Sequence, residues 1–166
     1  ELMRVLGLDP GTVRMGYGVL DEYLGSVQCL EWGCLTAKPK DPLHLRLNRL
    51  FQDLESVVER WRPDHLAVEE PFVSTTRGAK SGVIVGQAQA LGLLLAARNN
   101  MEVYRYSPTL VKRALTDSGS GTKTQVQLMV RLVLNLDELP YPQDASDALA
   151  VAISHVRQVQ SCKRVI

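Results

Sequence analysis

The sequence predicts an α/β fold built on one mixed five-stranded sheet, an antiparallel meander continued by parallel strands, with helices against both faces. Three observations point there. Three apolar runs follow one another at hairpin spacing between Met3 and Thr36. Beyond them, short apolar runs alternate with segments of helical periodicity, the pattern of strands joined through helices. Finally, 166 residues with 45% hydrophobic and 22% charged side chains suit a single domain, which buries roughly 70% of its extended-chain surface. That composition excludes disordered, collagen-like and coiled-coil classes. The single domain is expected over residues 1–166, with Glu1-Leu2 read as a remnant ahead of Met3 and a flexible tail from about residue 158.

The elements follow in order. Met3 to Leu8 is an apolar run closed by Asp-Pro-Gly, a strand running into a turn. Arg14 to Leu20 and Val27 to Thr36 are the next two strands, with Asp21 and Gly25 as turn residues between them. From Pro42 to Trp61, Leu43, Leu47, Leu50, Leu54, Val57 and Trp61 recur at steps of four and three, the stripe of an amphipathic helix that Arg62-Pro63 ends. Leu66 to Val68 is a short buried strand entering Glu69-Glu70-Pro71. Ser74 to Lys80 reads as a loop, and Ser81 to Asn99 as an apolar helix on which Gly82, Gly86 and Ala90 recur every fourth residue and permit close approach of the sheet or a dimer partner. Met101 to Tyr106 is the fifth strand. Ser107-Pro108 supplies a cap and a first-turn proline for a helix to about Leu115. After Gly119-Ser120-Gly121, Thr122 caps a helix to about Leu134, and a last helix runs from about Asp144 to Val156. Right-handed crossovers place the Leu66 strand parallel to the first. This is the frame of the ribonuclease H-like fold, much of which other α/β folds share.

The most apolar stretch, Gly82 to Ala97, is too short to span a membrane and is interrupted by Gln87 and Gln89. With no secretion-signal pattern at the N-terminus, a cytoplasmic protein is expected. Cys29, Cys34 and Cys162 are an odd number for a disulfide scaffold. Cys29 and Cys34, five apart in a strand, are expected on opposite faces as packing residues.

Four carboxylates stand out by placement. Asp9 ends the first strand, and Glu69 or Glu70 ends the fourth; strand alternation leaves that choice open. Singly, these read as turn chemistry and a solvated loop start. Asp144 and Asp147, three apart at the start of the last helix, share one face, although helix N-termini favour acids anyway. Jointly, two acids at adjacent strand ends and two on a helix that can cover them make a site, because ligands of α/β sheets gather beyond the strand ends. Oxygen-only ligation suits magnesium or manganese, and four negative charges suit two divalent ions. Two metals about 4 Å apart stabilise both the attacking and leaving oxygens in phosphodiester hydrolysis.

Taken in order, Leu-Gly-Leu-Asp9-Pro-Gly-Thr, Gly16-Tyr-Gly18, Ala-Val-Glu69-Glu-Pro-Phe72, Gly86-Gln-Ala, Lys123-Thr-Gln-Val and Asp144-Ala-Ser-Asp147-Ala-Leu-Ala resemble the RuvC family of bacterial Holliday junction resolvases over nearly the whole chain. The resemblance implies catalytic acids at Asp9, Glu69, Asp144 and Asp147, selecting Glu69 over Glu70. It implies two Mg2+ per site, with Mn2+ able to substitute. Phe72 takes the place of a base-contacting aromatic, and Lys112 and Lys123 those of DNA-binding lysines; Arg77 and Lys80 join them as candidate contacts from the loop. It also implies a homodimer that cuts two strands of like polarity in a four-way junction, leaving 5′-phosphate and 3′-hydroxyl ends in recombination and repair. The implied partner is the branch-migration complex of RuvA and RuvB. Bound divalent ions would turn the formal charge of +1 clearly positive, alongside Arg105, Lys112, Arg113, Lys123 and Arg131 in the C-terminal half, as phosphate binding requires.

Two rival readings have distinct signs. Actin-like and sugar-kinase ATPases also place Asp-x-Gly-Thr after a first strand, but need two such domains. A non-catalytic junction-binding module would lack one of the carboxylates, and all four residues are present.

Overall fold

A computed structural model describes residues 1–70 and 78–163, the side chains of 78–81 and 163 excepted. Its elements are β1 (Met3–Asp9), β2 (Arg14–Tyr23), β3 (Ser26–Thr36), α1 (Leu43–Trp61), β4 (His65–Glu69), α2 (Gly78–Arg98), β5 (Glu102–Tyr106), α3 (Pro108–Thr116), α4 (Lys123–Val133) and α5 (Gln143–Lys163). The five strands form one sheet in the order β3-β2-β1-β4-β5. β1, β2 and β3 pair antiparallel, and β4 runs parallel to β1 and to β5. The mixed sheet therefore stands as read from the sequence.

Strand alternation divides the core into two layers. Leu6, Leu8, Leu66 and Val68 face α1 and α2, packing with Leu50, Leu54, Val58, Leu91 and Leu95. Val5 and Ala67 face the other way, toward Leu149, Ala152 and Ile153 of α5, with Val111 of α3 and Val130 of α4 in the same cluster. Helix α5 lies unusually close to the sheet. A Cβ added to Gly7 would meet the Ala148 carbonyl oxygen at 2.2 Å, and one on Gly16 the Asp144 carbonyl oxygen at 1.9 Å. These glycines are what allow the helix backbone to rest on β1 and β2.

The structure corrects several boundaries. Asp21 lies within β2 and not in the turn, where it faces Arg4 across the strands and accepts from its Nε at 2.6 Å; opposite charges at directly paired positions favour a strand. The turn is Leu24-Gly25, with φ of 51° and 88°, the positive pair of a two-residue hairpin turn. Helix α2 begins at Gly78 and not at Ser81, since Ala79 and Lys80 are good helix formers. Helix α5 runs to Lys163 and not only to Val156. No glycine or proline stops it, and Val159 packs on the core, so the described residues after 158 are helix and not a tail. The close approach of α2 to the sheet is made at Gly92, over Leu8 and Leu66, whereas Gly86 faces open space.

Cys29 and Cys34 share a face instead of opposing one another. A register shift between Val19 and Leu20 leaves Leu30 without a partner on β2, and such a bulge reverses the alternation. Cys34 then lies opposite Gly16, and Cys29 packs into the α5 layer. All three cysteines are free.

Candidate active site

The parallel register Leu8↔Val68 brings Asp9 and Glu69 to the same level at the carboxyl ends of adjacent strands. Asp9 continues the alternation of Val5 and Gly7, and Glu69 that of Ala67, so both carboxylates emerge on the α5 side. Glu70 continues β4 out of the sheet; its N–H donates to the Tyr106 carbonyl at 2.8 Å. Strand alternation thus selects Glu69 once the core-facing side of β4 is known. Asp147 comes down from α5, whose position the close approaches at Gly7 and Gly16 set.

Asp9, Glu69 and Asp147 line one cavity of about 200 Å³, walled by Val111, Val126 and Ala150 and rimmed by Lys112 and Lys123. Lys112 comes from α3, capped by the Ser107 hydroxyl accepting from the Leu110 N–H at 3.2 Å. Lys123 opens α4 behind a reciprocal capping box of Thr122 and Gln125.

The electrostatics of the cavity are those of crowded like charge. Burial, then Asp147, Asp144 and Glu69, push the Asp9 carboxyl up to about 7, with Lys123 opposing. Burial and Asp147 raise Glu69 against Lys123 and Lys112. Burial also raises Asp147, with Asp144 adding to it and with Lys123 and a hydrogen bond from the Gln143 side chain opposing. Carboxylates raised first by burial and then by one another, with lysines only partly offsetting the rise, are the arrangement a cation relieves.

Asp144 is placed differently. It does not line the cavity, and its Oδ2 accepts from Arg14 Nε at 3.0 Å and meets Nη2 at 2.9 Å. Among the described residues no three His, Cys, Asp or Glu side chains form a ready-made metal cage. The oxygen-only donors and their mutual repulsion nevertheless fit divalent cations of the magnesium type. Phe72 and Arg77 lie outside the described residues, and Lys80 is described only as backbone in the first turn of α2.

A family model of the crossover junction endodeoxyribonuclease RuvC matches residues 5–155. The chain belongs to the RuvC family. It is 44% identical over 153 residues to the crossover junction endodeoxyribonuclease RuvC of Dehalococcoides mccartyi, covering 92% of each chain. To that of Desulforamulus reducens it is 42% identical over 156 residues, 93% of this chain and 94% of the relative. The solved structure of T. thermophilus RuvC in complex with Holliday junction substrate superposes with a TM-score of 0.89 at 34% identity over 96% of both chains. The yeast mitochondrial Holliday junction resolvase Ydc2 superposes with a TM-score of 0.66 at 16% identity over 99% of this chain and 85% of its own, a likeness of fold alone.

Two features near the cavity have no signal in the sequence. Arg14 lies outside the basic C-terminal half, yet the β1–β2 hairpin returns it to the Asp9 end of the sheet. The buried network on α5 is the other: His155 Nε2 lies 2.8 Å from His65 Nδ1, and His155 Nδ1 lies 2.6 Å from the Tyr106 hydroxyl. His65, Tyr106 and His155 are far apart in sequence, and no local pattern signals that they meet.

Proposed function

We propose that this RuvC-family chain resolves Holliday junctions by metal-dependent hydrolysis of one phosphodiester per site, as a homodimer in the cytoplasm. The observation that carries the reading is the cavity in which Asp9, Glu69 and Asp147 meet at raised proton affinity beneath two lysines. Asp9, Glu69 and Asp147, joined by Asp144, would hold two Mg2+, or Mn2+ in their place. When bound, the cations supply neutralising charge, an acidified water and stabilisation of the departing oxygen. Lys112 and Lys123 hold the backbone phosphate at the rim, and the apolar walls from Val111, Val126 and Ala150 limit competing water. Cleavage leaves a 5′-phosphate and a 3′-hydroxyl.

Two symmetric cuts need two sites related by a two-fold axis. The face of α2 bearing Gly86 with exposed Val83 and Leu94 offers an apolar surface for a second copy. RuvA and RuvB are the partners expected to deliver the junction. No helix among the described residues is long and apolar enough to cross a membrane.

The test is incubation with a synthetic four-way junction and Mg2+. Paired nicks in two strands of like polarity, ligatable without further processing, are expected. Junction binding without cleavage under Mg2+ or Mn2+ would overturn the reading.

A further inference from the structure

We propose that Arg14 is a positioning residue that holds Asp144 out of the metal cavity in the DNA-free protein and releases it when a phosphate of the bound junction takes the guanidinium. The inference rests on the nuclease reading above and concerns how its site is completed.

Three features of the structure lead to it. First, the backbone at Asp144 has no freedom to move toward the sheet: its carbonyl is pressed against Gly16, where a Cβ would come within 1.9 Å. Only the direction of the carboxylate remains to be set. Second, both guanidinium nitrogens that reach Asp144 converge on Oδ2, so the pair is not the two-oxygen fork that makes arginine–carboxylate pairs strong. Third, the pair is open to water, the Arg14 side chain being 50% and that of Asp144 30% exposed. An exposed pair of this kind is worth at most about 1 kcal/mol, weak enough to be exchanged for a phosphate or a cation.

The groups around Arg14 are consistent with a latch. Asp144 and the Cys34 thiol are its charged and titratable neighbours, and Cys34 sits on β3 opposite Gly16. While Arg14 holds Asp144, the cavity keeps three carboxylates. A polyanion arriving at the rim presents phosphates to Arg14 as well as to Lys112 and Lys123, and a phosphate that binds the guanidinium frees Asp144 to turn inward. Completion of the site would then be coupled to substrate, so that cations are held tightly only where there is a strand to cut.

The experiment uses the metal-free full chain and two readouts apart from cleavage. Mn2+ affinity without DNA is measured from the electron paramagnetic resonance signal of free Mn2+, and junction affinity is measured against salt concentration in EDTA. Arg14→Gln is expected to bind Mn2+ roughly two- to fivefold more tightly than the unaltered chain, because a competing cation is gone. Its junction-binding salt slope should fall by about one, because one phosphate is no longer neutralised. Arg14→Lys, which keeps the charge, should restore the slope and most of the weaker Mn2+ affinity. A purely structural ion pair would move neither readout, so Mn2+ affinity or a salt slope unchanged in Arg14→Gln overturns the proposal. Asp9→Asn is the control: if it leaves Mn2+ affinity unchanged, the cavity is not the metal site, and the nuclease reading falls together with the latch.

Discussion

At its N-terminal end, α5 brings Asp147 against Asp9 and Glu69, like charge facing like; two turns further on, the same helix buries His155 completely, yet both ring nitrogens meet a partner. The two regions are neighbours, since Tyr106, which meets His155, pairs with Glu69 across β4 and β5. One is a set of buried polar groups in conflict, the other a set in agreement. A structural role calls for agreement, because an unsatisfied buried polar group costs about 1–3 kcal/mol. Conflict among buried titratable groups lining a cleft marks a place where something outside the chain binds. The His65–His155–Tyr106 network ties α5 to β4 and β5, and so holds the acids together against their repulsion.

The largest effect is expected at Asp9. Asp9→Asn removes a candidate ligand and one charge while keeping the shape, and junction cleavage should fall by on the order of a thousandfold or more, since even outer partners of a metal site cost about 10–100-fold. The same substitution should stabilise the metal-free protein. A carboxyl raised from 3.8 to about 7 adds stability that is fully present below pH 3.8 and is lost as the pH rises to about 7. At pH 8 the unaltered chain therefore carries a penalty bounded by about 4 kcal/mol at 1.36 kcal/mol per unit. Thermal melts without metal should show Asp9→Asn several degrees higher at pH 8 and converging with the unaltered chain near pH 4. A lower melting temperature at pH 8 would mean that Asp9 is structurally paired and not in conflict.

His155 should behave with the opposite sign. Burial, with His65 adding to it, lowers its imidazole from 6.5 to about 4. Its contribution is fully present above pH 6.5 and is lost as the pH falls toward 4. His155→Leu strands the Tyr106 hydroxyl and His65 Nδ1, at an expected cost of about 2–4 kcal/mol, or roughly 5–15 °C in melting temperature for a domain of this size. The variant should also lose part of the destabilisation between pH 6.5 and 4. Unchanged stability would remove the network from the account of how α5 is held.

Lys123→Ala should have a smaller effect. Lys123 lowers the proton affinity of Asp9, Glu69 and Asp147, and its loss should shift the rising limb of the cleavage–pH profile upward. Cleavage should fall by about ten- to a hundredfold, and the salt slope of junction binding by about one. An unchanged profile and slope would reduce Lys123 to a solvated charge.

What is legible in the sequence follows the same division. The strands and helices announce themselves locally, through the apolar run of β1 closed by Asp-Pro-Gly, the three-four stripe of α1, and the Ser107 and Thr122 caps. The acids of the cavity are legible because strand ends and helix starts have known places in an α/β sheet. The Asp144–Arg14 pair is not, because it depends on the rotamer of a side chain at a sequence separation of 130. The shared face of Cys29 and Cys34 is hidden by a bulge with no glycine to mark it. Alternation counted from Leu66 places Glu69 and Glu70 on opposite sides of the sheet, but only the packing of Ala67 under α5 says which side holds the site.

The smallest effect is expected at Glu70. Glu70 is adjacent to Glu69 and carries the same charge, so any account based only on net negative charge near the cavity treats the two alike. In the structure they differ in direction: Glu69 lines the cavity, whereas Glu70 is exposed and is held through its backbone N–H to Tyr106. Glu70→Gln keeps that backbone hydrogen bond and removes only a solvated charge, so cleavage should stay within about threefold and metal-free stability within about 0.5 kcal/mol. Glu69→Gln, measured alongside, should match Asp9→Asn in the depth of its cleavage defect. Equal loss at both positions would mean that the chain after β4 turns differently when DNA is bound, and that the side of the sheet seen here does not determine which glutamate serves the reaction.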